Sequence, residues 1–299
     1  MSAGGPAIAG GGPGVSVVVP CYDAEATLGA QLAALAAQDY AGEWEVIVAD
    51  NGSSDRSRAV AEAFRDRLPG FRWLDASGRR GAGHARNAGA AAARGELLLF
   101  CDADDEVAPG WVTALVAALG RHDFVASRYD ADKLNPAAVS ALHATKQRDR
   151  LPVYDYPPFL PHAGGGGLGV RREPHERVGG FDETLPALQD TDYCWRLQLA
   201  GVPLAFAGQA LVHVRYRPTL AGAFRQARLC GRYNVILYRR YRPLGMPRLG
   251  PLPGLARWAK LLLTLPLLAT ARGRGRWIWQ AGWRLGRLEG CLHCRVLAL

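Results

Sequence analysis

A short acidic stretch in the first half of the sequence has the residue types of a metal site. The apolar run Leu97–Phe100 continues through Cys101 into Asp102, Asp104 and Asp105. The run is typical of a buried strand, and ligands of open α/β sheets bind outside the carboxyl ends of the strands. Three adjacent carboxylates repel one another, so a cation is their natural partner, and oxygen ligands favour Mg²⁺ or Mn²⁺, which in turn bind phosphates. The stretch therefore predicts a metal–diphosphate site.

Strand and helix patterns alternate before this stretch, at intervals of about 30 residues. The predicted strands cover residues 15–20, 44–50 and 71–74. Leucines at helical spacing within residues 26–38 predict the first helix. The alternation predicts an α/β fold with a doubly wound, mostly parallel sheet. Because Asp23, Asp50 and Asp102 each follow a strand, we expect these acids to converge on one edge of the sheet.

The pattern weakens after residue 120, but three features stand out. Residues 164–167 are four glycines, and such a run is required only where the backbone packs very closely or has strained dihedral angles. Asp190 can begin a helix over residues 191–200. Two further short strands are expected over residues 202–206 and 210–214.

The net charge of +9 is unevenly distributed along the chain. Arginines are dense from Arg215 onward, whereas the acids lie mostly before Asp192. We predict a disordered leader over residues 1–14, an α/β domain over residues 15–215 and a basic, apolar helical tail over residues 216–299. The leader has neither a basic n-region nor an apolar h-region, so no signal peptide is expected and the chain should stay in the cytoplasm.

The tail contains an apolar segment that is too short to cross a membrane. Its clean run lies around residues 261–268 and is interrupted by Lys260 and Pro266, whereas a span needs about 20 residues. Arginines flank the segment on both sides. This pattern favours peripheral contact with the inner face of the cell membrane. The alternative is a helical hairpin that packs on the protein core or on a second subunit.

Five short motifs follow one another along the chain in an order that is typical of a known protein family. They are Val-Val-Val-Pro-Cys-Tyr-Asp-Ala-Glu (17–25), Val-Ala-Asp-Asn-Gly-Ser-Ser-Asp (48–55), Ala-Arg-Asn-Ala-Gly (85–89), Cys-Asp-Ala-Asp-Asp (101–105), and Gly-Gly-Phe-Asp-Glu (179–183) followed by Gln-Asp-Thr-Asp (189–192). Over residues 15–241 the chain resembles the family 2 inverting glycosyltransferases, which have the nucleotide-diphosphosugar (GT-A) fold. The resemblance implies metal-dependent transfer of a sugar from a nucleoside diphosphate, expected to be a UDP-sugar, to an acceptor hydroxyl with inversion.

The resemblance also implies a set of residues that bind the donor. They are Pro20, Tyr22, Asp23, Glu25, Asp50, Asn51, Ser53, Arg86, Asp102, Ala103 and Asp104. Asp50 is expected to accept the N3–H of the base, although it can instead cap a helix. Arg86 lies near a helix N-terminus and is expected to face the diphosphate, unless it is a surface arginine.

The metal, the base and the acceptor side follow from the same resemblance. Asp104 and Asp102 are expected to bind Mn²⁺ or Mg²⁺, with His213 as a further ligand and Asp105 as a cap of the next turn. Asp190 is expected to be the catalytic base, although Gln189 stands where the family usually has glutamate. Asp192 is its rival, and it is expected instead to hold the geometry or to pair with an arginine.

The acceptor is expected to lie near Gly166, Gly167, Asp192 and Trp195. The Trp195 ring can stack on a sugar, and packing in the core is the equal alternative. A glycan, a lipid-linked molecule and a small molecule all remain possible acceptors, and the sugar is not specified. Thymidine and guanosine offer ring N–H groups comparable to that of uridine.

Other function classes match the sequence less well. The Gln-x-x-Arg-Trp motif of processive family members is absent from the sequence, because Gly254 stands where glutamine would precede Arg257 and Trp258. We therefore expect non-processive transfer. A nucleotidyltransferase on a similar sheet would have a glycine-rich basic loop after the first strand. A nucleotide-sugar-binding protein with weak catalysis is suggested only by Gln189, and no nucleic acid partner is expected because the acidic motifs do not fit one.

Overall fold

The computed structural model describes residues 14–140 and 147–298. All but the last residue of the expected leader lies outside this range. The described residues form two compact units. The first comprises residues 14–130, 147–151 and 162–214, and the second comprises residues 131–140, 152–161 and 215–298.

A sheet of eight strands forms the centre of the first unit in the described part of the chain. The strands are β1 (Val15–Cys21), β2 (Trp44–Asp50), β3 (Arg72–Asp75), β4 (Leu97–Phe100), β5 (Glu106–Val107), β6 (Phe124–Asp130), β7 (Leu168–Arg171) and β8 (Ala205–His213). Their order is β3-β2-β1-β4-β7-β6-β8-β5. Strands β3, β2, β1 and β4 are parallel neighbours, as are β6 and β8, whereas β7 is antiparallel to β4 and β6, and β5 is antiparallel to β8.

Ten α-helices connect or follow these strands in the described residues. In the first unit they are α1 (Leu28–Ala36), α2 (Ser57–Glu62), α3 (Ala82–Ala92), α4 (Trp111–Leu119), α6 (Arg172–Arg177) and α7 (Gln189–Leu199); in the second unit they are α5 (Ala137–Ser140), α8 (Leu220–Tyr241), α9 (Pro251–Leu263) and α10 (Ala271–Cys294). Short 3₁₀ turns cover Gly165–Gly167, Arg242–Leu244 and Leu265–Ala269.

The core of the first unit explains why the sheet could be recognised from the sequence. Every residue of β4 is buried, and strands covered on both faces have nearly continuous apolar sequences. Leu28, Leu32 and Leu35 all lie on the buried face of α1, as their spacing predicts. The parallel register places the carboxyl ends of β1, β2 and β4 along one edge. The α/β fold class with its doubly wound sheet and C-terminal helices is therefore confirmed.

The structure corrects the strand predictions in the second half of this unit. The two strands expected over residues 202–206 and 210–214 are one strand, β8, whose register with β6 shifts between Ser127 and Arg128. Strands β5 and β7 were not predicted, because two and four residues are too few to show a period. β7 directly follows the glycine run and lies between β4 and β6.

The second unit is built around close contact between α8 and α10. Gly282, Gly286 and Gly290 of α10 lie against the backbone carbonyl groups of Phe224, Arg228 and Arg232, respectively. The same order of the contacts along both helices shows that the helices run parallel. Because glycine has no Cβ, the two backbones approach closely along this line. The C-terminal helices expected within residues 216–299 are present, and α8 is the first of them.

Candidate active site

Three carboxylates lie together directly after β4. One oxygen of each of Asp102, Asp104 and Asp105 lies within 4.8 Å of the others. Asp105 is buried, whereas the other two side chains are partly exposed. The sequence interpretation kept Asp105 outside the metal shell as a cap, but the structure brings its carboxylate into the group. Carboxylate oxygens at this spacing suit Mg²⁺ or Mn²⁺.

His213 lies at the end of β8, next to this group along the sheet. It is the register partner of Glu106 in β5 and of Asp130 in β6. Its Nδ1 atom is 2.8 Å from Oδ2 of Asp130. The group of possible ligand atoms among the described residues does not include His213, so its role as a metal ligand stays a prediction.

Arg86 of α3 is buried beside the acidic group. Its Nη2 atom donates a hydrogen bond of 2.5 Å to Oδ1 of Asp102. Its Nε and Nη1 atoms are also buried, and no described residue accepts a hydrogen bond from them. Burial opposes the charge of the guanidinium, but the carboxylates of Asp102 and Asp190 outweigh it and raise the pKa of Arg86. A buried cation with two unpaired N–H groups is a suitable site for an anion.

The glycine run covers these charged groups. A Cβ atom on Gly165 would lie 2.8 Å from Cζ of Arg86, and one on Gly166 would lie 2.8 Å from Oδ2 of Asp102 and 3.0 Å from Oδ2 of Asp105. The φ angle of Gly166 is −80°, an ordinary value. Close packing, rather than backbone strain, is therefore the reason for glycine here, which is one of the two alternatives that the sequence allowed.

The same run is fixed from the side of β6. A Cβ atom on Gly167 would lie 2.8 Å from the Tyr129 ring. The Tyr129 hydroxyl donates to the carbonyl of Gly164 at 2.9 Å. The Gly164 N–H donates to Oε1 of Gln147 at 3.0 Å. Gly166 and Gly167 are thus held by close packing and line one wall of the site, and their place on the acceptor side stays a prediction.

Asp190 in the first turn of α7 is hydrogen-bonded to the same glycine run. Its Oδ2 atom accepts a hydrogen bond of 3.2 Å from the Gly165 N–H, and its Oδ1 atom accepts one of 2.7 Å from the Thr191 N–H. Burial raises the pKa of Asp190, although these two N–H groups and the charge of Arg86 act in the opposite direction. A carboxylate with a raised pKa is a stronger general base than an ordinary aspartate.

Asp192 and Trp195 lie deeper in the same helix. Asp192 is fully buried and accepts a hydrogen bond of 2.7 Å from Nε of Arg196, so the predicted pairing with an arginine is confirmed. Arg196 also donates to the carbonyls of Val178 and Gly180. Trp195 is 1% exposed and packs edge-on against His162. Of the two alternatives for Trp195, the structure favours packing in the core, because no face of the ring is open.

The residues predicted to contact the base lie at the ends of β1 and β2. Oδ1 of Asp50 accepts hydrogen bonds from the Ser53 N–H at 3.1 Å and from its hydroxyl at 2.5 Å. Asn51 is only 5% exposed. Its Nδ2 atom donates to the carbonyls of Ala76 and Arg79, and its Oδ1 atom accepts from the Gly81 N–H. The Asn51 side chain therefore holds loops together, and its contact with the donor stays a prediction.

The loop after β1 is tied to the loop after β2 by its two acids. Oδ1 of Asp23 accepts a hydrogen bond of 2.7 Å from the Ser54 N–H, which is the main cause of a lowered pKa for Asp23. Oε2 of Glu25 accepts one of 2.9 Å from the Arg56 N–H. These contacts fix the two loops against each other at the carboxyl ends of β1 and β2, and this edge is called the rim below.

The remaining three predicted donor residues differ in exposure. The Tyr22 ring is half exposed and lies 4.5 Å from the Arg80 guanidinium, so it presents a surface at the rim. Pro20 is partly buried within β1, opposite Ala49 of β2. Ala103 is nearly covered between its two acidic neighbours.

One contact to the site had no assigned role in the sequence analysis. Asn87 of α3 donates to the Phe181 carbonyl at 2.8 Å and to Oε1 of Glu183 at 2.9 Å, and it accepts from the Phe181 N–H. His84, one turn earlier, lies 2.9 Å from Oε2 of Glu183. α3 therefore positions Arg86 and also the turn that leads to Asp190. The motifs around Asn87 and Phe181 were visible in the sequence, but their mutual contact was not.

Comparison with known families agrees with this geometry. Residues 16–179 match the model of the family described as glycosyl transferase family 2, which is more than half of the chain. The chain belongs to glycosyl transferase family 2. The three predicted donor motifs (17–25, 48–55 and 85–89) and the acidic group all lie within this match.

Curated relatives match parts of the chain. It is 40% identical over 108 residues to validoxylamine A glucosyltransferase from Streptomyces hygroscopicus subsp. limoneus, which covers 36% of this chain and 24% of that protein. It is 36% identical over 91 residues to a UDP-Glc:alpha-D-GlcNAc-diphosphoundecaprenol beta-1,3-glucosyltransferase from Escherichia coli, which covers 30% of this chain and 35% of that protein. The matches thus span only about a quarter to a third of these relatives.

Over most of its length the chain is similar in fold to solved glycosyltransferase structures of the GT-A type. The mannosyltransferase from Pyrobaculum calidifontis, in complex with GDP-Man and Mn²⁺, has a TM-score of 0.67 at 20% identity and covers 94% of this chain and 88% of that chain. The glucosyl-3-phosphoglycerate synthase from Mycobacterium tuberculosis, in complex with Mn²⁺, UDP and glucosyl-3-phosphoglycerate, has a TM-score of 0.51 at 22% identity and covers 80% and 82%.

Proposed function

We propose that the protein is a metal-dependent, inverting and non-processive glycosyltransferase that moves a sugar from a UDP-sugar to an acceptor hydroxyl. The carrying observation is that the carboxylate of Asp190, whose pKa is raised by burial, is hydrogen-bonded to the glycine run that also packs against Arg86 and Asp102. A general base close to an anion site is what inverting transfer requires. Membership of glycosyl transferase family 2 supports the proposal.

The diphosphate is proposed to bind between Arg86 and the acidic group. The two unpaired N–H groups of Arg86 are directed donors for phosphate oxygens. Asp102, Asp104 and Asp105 fit a hard divalent cation, and His213 is proposed as a further ligand. Such a cation supplies neutralisation of the charge that develops on the departing diphosphate. Mn²⁺ accompanies the nucleotide in the complexes of the two structural neighbours.

The nucleoside is proposed to lie along the ends of β1 and β2. Asp50 keeps one carboxylate oxygen, Oδ2, beyond the hydrogen bonds that Ser53 makes to Oδ1, and this oxygen is proposed to accept the N3–H of uridine. Tyr22, Asp23 and Glu25 form the rim. The P. calidifontis neighbour holds GDP-Man, so a guanosine donor is a direct comparison in the test.

On the acceptor side, a carboxylate of this chain is proposed to take up the proton that the acceptor hydroxyl loses. Asp190 is proposed to accept the proton of the acceptor hydroxyl, because its Oδ atoms are held by the Gly165 and Thr191 N–H groups and do not rotate freely. Gly166 and Gly167 are proposed to border the acceptor. Residues 15–215 are proposed as the catalytic domain, with residues 216–299 as an appended tail.

The proposal is tested by turnover with a panel of nucleotide sugars. The full-length protein is incubated with UDP-, GDP- and dTDP-sugars and Mn²⁺, and the release of nucleoside diphosphate is measured with and without EDTA. Asp190→Asn is compared with Asp123→Asn, which changes a surface carboxylate that is 59% exposed. We expect metal-dependent release from a UDP-sugar that is lost only in Asp190→Asn. Absence of release and of binding for every nucleotide sugar would refute the proposal.

A further inference from the structure

In the second unit, α9 and the 3₁₀ turn that follows it expose six leucines. The exposed fractions are 75% for Leu252, 54% for Leu255, 62% for Leu262, 80% for Leu263, 44% for Leu265 and 42% for Leu267. These six residues are called the leucine surface below. The residues of α9 that are buried are Gly254 and Leu261. A helix whose apolar stripe faces solvent, with a glycine on its inner side, has the pattern of a surface for a partner or a membrane.

The surroundings of the leucine surface are strongly basic. Residues 215–299 contain seventeen arginines and lysines and a single acid, Glu289. Lys260 is exposed on α9, and Arg274 and Arg276 are exposed near the start of α10. Because the whole chain has a net charge of only +9, the positive charge is concentrated in this region. An anionic partner is therefore favoured.

One tryptophan of the same unit joins an apolar groove to the end of α9. The Trp277 indole donates a hydrogen bond of 2.9 Å to the Leu261 carbonyl at the end of α9. Trp277 also lines a groove of about 330 Å³ between α8 and α10, together with Phe224 and Ile278. A tryptophan with one polar contact and one apolar face is typical of a membrane interface.

α9 is too short to insert across a bilayer. It has 13 residues, and about 20 are needed to span the hydrocarbon core. Across residues 14–140 and 147–298, no helix combines the length and the apolar character that a membrane span requires. A helix of this length with an apolar outer face lies in the plane of the interface instead.

We propose that the leucine surface is a docking site for the face of a bilayer that contains anionic phospholipids. The leucines enter the boundary between headgroups and acyl chains, and the surrounding arginines and Lys260 bind the phosphates. A nucleic acid would match the positive charge but would leave six outward leucines without a role. A second copy of the chain would bring another basic surface against this one, which is unfavourable. The proposal does not depend on sugar transfer.

The test measures how the full-length protein partitions onto lipid vesicles. Vesicles of phosphatidylcholine are compared with vesicles that also contain phosphatidylglycerol. The variant Leu262→Gln/Leu263→Gln removes two members of the leucine surface, and Leu292→Gln is the matched control. Leu292 is 73% exposed and lies about 22 Å along α10 from Trp277. Thermal melting confirms that each variant is folded.

We expect the native protein to bind the anionic vesicles. Binding should be roughly tenfold weaker or more for the double variant, and it should be unchanged for Leu292→Gln. Lys260→Gln is expected to weaken binding about fivefold on anionic vesicles only. Equal partitioning of the double variant and the native protein would overturn the proposal. Self-association or RNA binding that the double variant loses, in the absence of vesicle binding, would also overturn it.

A second readout separates this proposal from the proposed enzymatic function. UDP affinity in the presence of Mn²⁺ is measured on the same variants and is expected to be unchanged. Vesicle binding by a protein that binds no nucleotide would refute sugar transfer and support the docking surface. Nucleotide turnover by a protein that ignores anionic vesicles would refute the docking surface alone.

Discussion

Arg86 and Asp102 form a hydrogen-bonded ion pair of 2.5 Å that joins α3 to the end of β4. The pair fixes Oδ1 of Asp102, while Oδ2 faces the space next to Gly166. Arg86 keeps two donors for a ligand, and Asp102 keeps one oxygen for a cation. This single contact therefore orients both halves of the proposed diphosphate site.

We predict that Arg86→Lys weakens the binding of UDP with Mn²⁺ by roughly tenfold or more, because an ammonium group cannot replace the fork of guanidinium donors. Titration calorimetry measures the effect. Arg94→Lys, which changes an exposed arginine, is the control and is expected to bind as the native protein does. Equal affinities for the two variants would remove Arg86 from the diphosphate site.

Gly166→Ala is predicted to weaken Mn²⁺ binding about tenfold. The new Cβ would lie 2.8 Å from Oδ2 of Asp102 and 3.0 Å from Oδ2 of Asp105, and displaced ligands cost metal affinity. Mn²⁺ affinity is read from electron paramagnetic resonance of the free ion. Gly29→Ala is the control, since its Cβ makes only an ordinary contact with Val60. Unchanged metal affinity in Gly166→Ala would show that this wall does not limit the acidic group.

Asp190→Asn is predicted to lower kcat by a factor of about 10² to 10⁴, because it removes the proposed general base. UDP affinity should stay within twofold of the native value, since Asn keeps an oxygen that can accept from the Gly165 N–H. Steady-state kinetics and calorimetry measure the two quantities. A variant with native kcat would place the base elsewhere.

The pH dependence of activity has a defined sign. Burial raises the pKa of Asp190, and the base accepts a proton only when it is ionised. Activity must therefore fall as the pH decreases through this raised pKa, so the acid limb of kcat/KM lies above the ordinary aspartate range. A profile of kcat/KM against pH checks this. An acid limb at or below the ordinary range would contradict the assigned electrostatics.

Stability should depend on pH through a buried histidine beneath β4. His175 lies 2.8 Å from the Tyr193 hydroxyl and packs on Phe100, and burial, with the charges of Arg172 and Arg196, lowers its pKa from 6.5 to about 4. The unfolded chain binds the extra proton between these values, so unfolding becomes easier as the pH falls below 6.5. The loss reaches about 3 kcal/mol near pH 4.

Denaturant unfolding at several pH values measures this contribution. His175→Gln is predicted to flatten the dependence between pH 6.5 and pH 4, whereas His122→Gln, which changes an exposed histidine, should leave it unchanged. Identical slopes for native protein and His175→Gln would contradict the assignment of the loss to His175.

The sequence predicted the parallel half of the fold because its strands are buried on both faces and have continuous apolar runs. The family resemblance also singled out Asp102, Asp104, Arg86 and Asp190, which the structure brings near one another, while their roles stay predictions. The sequence could not predict β7, because four residues between β4 and β6 carry no period. Because β7 is antiparallel to both of its neighbours, the change from a parallel to a mixed sheet was missed with it.

Three side chains at the site have surroundings that the sequence did not specify, for a common physical reason. Asn51 and Trp195 have residue types that suit a ligand, but both are almost fully buried, and burial depends on contacts between distant segments. Asp105 joined the acidic group because the turn after β4 brings its carboxylate back toward Asp102. Such turns are not encoded in the spacing of acidic residues alone.

The most direct test of the central claim is the binding of UDP with and without Mn²⁺, measured by calorimetry on the native protein and on Asp104→Asn. Asp66→Asn, which changes an exposed aspartate, is the control. We predict that Mn²⁺ strengthens UDP binding roughly tenfold or more in the native protein and the control, and that Asp104→Asn loses this increment. If UDP, GDP and dTDP all fail to bind, or if Asp104→Asn keeps the full Mn²⁺ effect, the proposed metal–diphosphate site is contradicted.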